Sequence, residues 1–187
     1  MIARALIPAA FAAFGLVAFG LTASPATPPA SIDACKLLTI EDIASVTGRK
    51  VTEPVTAGSE STAEGSISST CVWKIPGEPA SGSGETAGDA PLQGSNYAML
   101  NAWSWEAGSN GPANFVQEFR DAGEKDLIPS KPIDIKGVGD DALYWGDGVA
   151  VRKGTHSFGV SVHLVGQKAT EQSMEEALAR RILARLP

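Results

Sequence analysis

The chain has 187 residues, with 21 Asp plus Glu against 15 Lys plus Arg, a net charge of −6 and a pI of about 4.9. A mildly acidic chain with no Lys/Arg run argues against nucleic acid, which asks for a basic stripe. It argues equally against an anionic membrane surface.

The N-terminus reads as an export signal. Met1-Ile2-Ala3-Arg4 carries a positive charge, and the 19 residues from Ala5 to Ala23 are apolar or small and uncharged. Small residues then allow cleavage after Ala23 or Ala26, the order of a signal peptide. The rival reading is an uncleaved anchor, since about 20 apolar residues span a bilayer. Pro8 and the many alanines and glycines make that a poor anchor. Residues 1–23 are therefore read as signal peptide, 24–31 as a disordered lead-in, and 32–187 as a single domain. No later run is long enough to span, so no membrane span is expected after cleavage. Losing Arg4 takes the net charge from −6 to −7. About 160 residues remain, and such a chain buries roughly 70% of its unfolded surface.

Cys35 and Cys71 are the two cysteines and enclose 35 residues. In an oxidising compartment an isolated pair reads as a structural bridge. Closing a loop of that size stabilises by about 3–4 kcal/mol in the chain-entropy account. A redox role would ask for Cys-x-x-Cys or a basic neighbour to depress a thiol pKa.

In chain order, Cys35-Lys36-Leu37-Leu38-Thr39 opens a first short helix. Thr39 serves as cap, Asp42 lies in the first turn, and Gly48 is the stop. Val51 to Thr56 reads as a short strand and Ala57 to Gly65 as a polar loop. Ile67 to Ile75 alternates, putting Ile67, Cys71, Trp73 and Ile75 on one face. Gly77 to Ser95 is low in complexity and reads as a flexible loop, either a solvated insertion or a mobile lid. In Asn96 to Trp105, Tyr97, Met99, Asn101, Trp103 and Trp105 share one face. Ala98, Leu100 and Ala102 line the other, so the strand is expected to be central.

Pro112 to Gly123 reads as a helix with Phe115, Val116, Phe119 and Ala122 as its stripe. Ile133 to Ile135, Ala142 to Trp145, Val149 to Lys153 and His156 to Val165 form a meander turning at Gly146-Asp147-Gly148. In its last strand Phe158, Val160, Val162 and Leu164 point to the core, with Ser157, Ser161 and His163 outward. The last helix, from about Thr170 to Leu186, carries a buried stripe of Met174, Ala177, Leu178, Ile182 and Leu186. A capping box between Ser173 and Glu176 is available. Glu171, Glu175 and Glu176 early, with Arg180, Arg181 and Arg185 late, complement the helix dipole and allow a Glu176–Arg180 pair. The fold class is α+β: an antiparallel sheet packed by helices, in the order α-β-β-β-α-β-β-β-α.

The chemistry-bearing residues form no assembled motif. Gly137-Val138-Gly139-Asp140-Asp141-Ala142 matches the Gly-x-Gly-x-x-Ala dinucleotide fingerprint, but that fingerprint needs a helix to follow. Here a short strand is expected, and the glycines read as backbone geometry. Asp140, Asp141 and Asp147 lack the spacing and terminal Glu of a calcium loop. His156 and His163, seven residues apart on one strand, point to opposite faces and cannot share a metal. No metal or cofactor is expected. Trp103, Trp105 and Trp145 are the candidate ligand surface, with core packing as the simpler alternative.

Several segments, taken together, resemble a family of exported bacterial domains of unknown function, common as actinobacterial lipoproteins. They are Cys35-Lys36-Leu37-Leu38-Thr39 before a helix, Cys71-Val72-Trp73 on a strand, Gly137 to Ala142 before a strand pair, and a terminal helix from Ala177 to Leu186. The resemblance spans about Cys35 to Leu186. It implies a bridge between the two cysteines and an α+β sandwich like the Mog1/PsbP-type fold, and it supplies no catalytic residue. This chain lacks the lipidation cysteine, which suggests a free periplasmic or secreted form.

The expectation is therefore a non-enzymatic exported module that binds an envelope protein or a small apolar ligand. The alternative is a hydrolase with a dispersed site near His163 or Asp140 and Asp141.

Overall fold

The structure, a computed structural model, describes residues 29–61, 65–77 and 96–187, with backbone alone for 55–58. The signal peptide, most of the lead-in and nearly all of the 77–95 loop lie outside the described residues.

The order is α1 (Ala34–Leu37), α2 (Ile40–Thr47), β1 (Val55–Ser61), β2 (Ser66–Lys74), β3 (Tyr97–Trp105), α3 (Gly111–Glu124), β4 (Ile133–Asp134), β5 (Asp141–Tyr144), β6 (Val149–Lys153), β7 (His156–His163) and α4 (Lys168–Leu183). The strands make one antiparallel sheet in the order β1-β2-β3-β7-β6-β5-β4. The α+β class with an antiparallel sheet packed by helices is what the residue pattern predicts.

Pairing register fixes which side chains share a face. Cys71, Trp73 and Ser69 lie opposite Leu100, Ala98 and Ala102. These lie opposite Val160, Val162 and Phe158, which continue to Val149 and Val151. This face is the main core, covered by α1, α2 and α4 through Leu37, Leu38, Ile43, Leu178 and Ile182. The other face carries a smaller cluster of Leu143 and Ala150 under Val116 of α3, flanked by Phe115, Phe119 and Trp145. The sheet thus lies between three helices and one.

Cys35 and Cys71 are bonded, with Cα atoms 5.3 Å apart. Cys71 is fully buried, as its alternating strand requires. The helix it secures differs from expectation. The helix capped by Thr39 and stopped at Gly48 is α2, and before the extended Leu38 a separate turn, α1, holds Cys35. Thr39 and Asp42 form a reciprocal capping box at the head of α2, which offers the backbone a better start there than continuation from Leu37.

Asp42 also joins α2 to α4. It accepts from Arg181 Nη1 at 3.0 Å and Arg185 Nη1 at 2.5 Å, and from the Thr39 amide at 3.1 Å. Burial pushes its pKa up, but the Arg185, Thr39 and Arg181 hydrogen bonds outweigh it and hold the carboxyl well below the usual range. The late arginines are thus spent on α2, and Arg180 donates to the Gly137 carbonyl rather than pairing with Glu176. Glu176 accepts from Gln172 instead. Asp42→Asn keeps the shape and removes the charge. It is expected to lower stability by about 1–2 kcal/mol in urea melts at neutral pH.

Three further expectations shift. The first strand begins later, at Val55, and runs through the stretch read as a loop to Ser61, with a bulge between Thr56 and Ser59. Its polar residues pair there because an edge strand needs ladder bonds more than apolar alternation. The last helix begins at Lys168, so Ser173 lies inside it and donates to the Thr170 carbonyl, and no capping box forms. Ser157 and Ser161 are buried rather than outward, since α3 and the Trp145 ring cover their face.

Candidate functional site

α3 meets the sheet at a close approach. A Cβ on Gly111 would fall 2.0 Å from Trp105 Cε3, so glycine alone lets the helix start on that ring. Trp105 is 9% exposed and its indole N–H donates to Ser157 Oγ at 2.9 Å. That satisfies the ring's polar atom and fixes its plane. Trp103, two residues back on the same face, is half-buried and packs on Phe115 with centroids 4.8 Å apart.

Between these rings and the first turns of α3 lies a cleft of about 600 Å³. Trp103, Trp105 and Phe115 supply its apolar part. Ser66, Ser109, Asn110, Asn114 and Glu118 supply its polar part. Asn110 stands at the helix N-cap in a right-handed helical conformation, and its side chain makes no capping bond. Ser109 accepts from the Gly111 amide in its place, at 3.0 Å. Asn110, Asn114 and Glu118 follow at four-residue intervals and line the cleft from one side of the helix.

The structure brings two of the three candidate tryptophans together. Trp145 lies apart from the cleft, its ring stacked on Phe119 at 4.5 Å and set against Gly148 and Gly159. It connects to Trp103 only through Phe119 and Phe115, in a row of four rings. Trp73, fully buried beside the disulfide, is core. Ser109, Asn110, Asn114 and Glu118 were not singled out from the sequence. Their signal was the polar period of four, in phase beside Phe115.

The acids considered for chemistry are engaged structurally. Asp140 accepts from Lys153 Nζ at 3.0 Å and the Gly154 amide at 2.7 Å, which together lower its pKa. Asp141 accepts both guanidinium nitrogens of Arg120, at 3.0 and 2.8 Å, which lowers its pKa in turn. Gly139 has φ of +63°, and a Cβ there would meet the Arg152 carbonyl at 2.4 Å. The glycine pattern serves this approach, and strand β5 follows it. His163 stacks on Tyr97 and sits 3.6 Å from Glu171 Oε1. Among the described residues no group of three His, Cys, Asp or Glu is placed to hold a metal ion.

A second polar feature was missed. Glu171 and Glu175 are 1% and 0% exposed. Their Oε1 atoms accept from the Leu164 and Val162 amides, both at 2.9 Å. β6 pairs with β7 only as far as Val160, so these amides have lost their neighbouring strand and α4 supplies carboxylates instead. Glu171 also accepts from Lys168, which bonds Asp147. Among the described residues Glu175 Oε2 has no partner. Desolvation pushes the Glu175 pKa up to about 8, against the lowering effect of the Val162 amide.

The fold and the cleft define a class: an α+β domain whose sheet carries its core on one face and an aromatic, amide-lined cleft on the other. Comparison with family models, curated proteins and solved structures returned no match.

Proposed function

We propose that this chain is an exported, non-enzymatic binding module and that the cleft at Trp103 is its ligand site. The observation that carries this is the half-buried indole of Trp103 at the floor of a concavity. A side chain of that size, held on a central strand and left partly open, costs apolar exposure that a ligand would relieve. Export is supported by the disulfide and by the signal-like N-terminus. Among the described residues no helix is long and apolar enough to cross a membrane. The resemblance to exported bacterial domains points the same way, and a bacterial envelope is the setting we assign.

The hydrolase alternative draws on His163 beside Glu171, with Asp140 and Asp141 already committed to Lys153 and Arg120. His163→Ala separates the two readings if any hydrolysis is detected: retention of that activity removes the alternative.

The cleft itself is tested by NMR of the 15N-labelled protein with cyclohexanol, indole and glucose as fragments. Shifts are expected to concentrate on the Trp103 indole N–H and the amides of residues 109–118. Shifts confined to other regions, or none from any fragment, would contradict the assignment.

A further inference from the structure

We infer that the ligand of this cleft is a neutral saccharide, bound with one sugar face on Trp103 and its hydroxyls on Asn110, Asn114 and Glu118. This rests on the binding reading above and narrows it.

The lining is not that of an apolar pocket. Trp103 is the half-buried indole of the cleft, since Trp105 is covered by the Gly111 backbone, and Phe115 is tilted against Trp103. Beside it stand two carboxamides and a carboxylate without hydrogen-bond partners among the described residues. A wholly apolar ligand would strip water from these groups and return nothing, at about 1–3 kcal/mol for each group left unpaired. The half-buried indole favours a flat apolar surface, and the polar stripe favours a ligand rich in paired donors and acceptors.

A carboxamide both donates and accepts, and a carboxylate accepts twice. Adjacent hydroxyls on a ring match both. Four-residue steps along a helix place the stripe at intervals of ~6 Å, so one ring on Trp103 can meet two of its members. Sugars meet both demands, because each ring has a face of C–H groups and a rim of hydroxyls.

Charge narrows the class further. Among the described residues no Lys, Arg or His lines the cleft, Glu118 does, and the chain carries −6 overall. Phosphorylated, sulfated or uronic sugars would meet repulsion with no compensating cation.

The test is calorimetric titration of the intact protein and two variants with chitotriose, cellotriose and maltotriose. Tri-galacturonate serves as the anionic probe and N-phenyl-1-naphthylamine as the apolar one. At least one neutral trisaccharide is expected to bind and tri-galacturonate is not. Trp103→Ala should weaken that trisaccharide at least about tenfold, and Asn114→Leu, at an exposed position that leaves the fold intact, about fivefold. Binding of the naphthylamine alone, lost in Trp103→Ala and improved by Asn114→Leu, would overturn the saccharide inference and leave the cleft standing. Preference for tri-galacturonate would also overturn it. Binding of none of the probes, or binding indifferent to both variants, would overturn the inference and the cleft together.

Discussion

The Cys35→Ala/Cys71→Ala double variant is expected to unfold with a stability loss of about 3–4 kcal/mol, or roughly 10 °C in melting temperature. The bond ties α1, one turn long, to the second strand of the sheet. Its other long-range polar ties among the described residues are the Ala34 amide on Ser69 Oγ and Arg185 Nη1 on the Leu37 carbonyl, both at 3.1 Å and each worth less than the bridge. Removing the bridge also leaves a gap against Trp73 and Leu100 in the main core. Ligand affinity should not change, because Trp103 lies on the opposite face of the sheet. Paired melts and titrations check both halves. A melting point within error of the native protein, or lost binding in a folded variant, would refute this division.

Stability should rise, by on the order of 3 kcal/mol, as pH falls from about 8 to 4.5. Glu175 is the cause. Its pKa is about 8 folded against an ordinary value of 4.5, so the folded state holds the proton that the unfolded state has released. This contribution is complete below pH 4.5 and is lost as pH climbs through 8. Below about 3.8 the sign reverses, because Asp42, Asp140 and Asp141 are all held below that value and lose their partners when protonated. His156, lowered by burial, acts in the destabilising direction below 6.5 and trims the gain. Lys168, Glu171 and Asp147 are the charged groups that set the local field at Glu175.

Glu175→Gln isolates the effect. The amide oxygen still accepts from Val162, and the charge can no longer form. The variant should be more stable than the native protein at pH 8, similar at pH 4.5, and nearly flat between. An unchanged slope would assign the pH dependence elsewhere.

Much of this architecture was legible because burial writes itself into period. Cys71 and Trp73 on alternating positions, Ala98-Leu100-Ala102 on the inner face of β3, and Phe115-Val116-Phe119 on α3 all fell where their spacing placed them. β1 was legible only at its start, Val55 and Thr56, since an edge strand is held by backbone pairing to β2 and its later residues carry no apolar alternation. The turn α1 was not legible, since its four residues before the extended Leu38 are too few to show a helical period.

The buried glutamates were hidden by residue type rather than by pattern. Leu178 and Ile182, extended backward at the same helical phase, fall on Glu175 and Glu171. Charge argued for solvent, and only the three-dimensional loss of β6 beside Val162 explains why carboxylates belong there. The site was half visible in the same way. Trp103 and Trp105 stood out as aromatics, whereas Asn110 drew no reading. Its freedom depends on a helical backbone conformation that the residue type does not reveal.

The most direct measurement follows the four indole N–H signals of the 15N-labelled protein as chitotriose is added. The account predicts the largest shift at Trp103, a smaller one at Trp105, and none at Trp73. A largest shift at Trp73 or Trp145 would contradict it, as would four signals that never move with this or the other neutral trisaccharides.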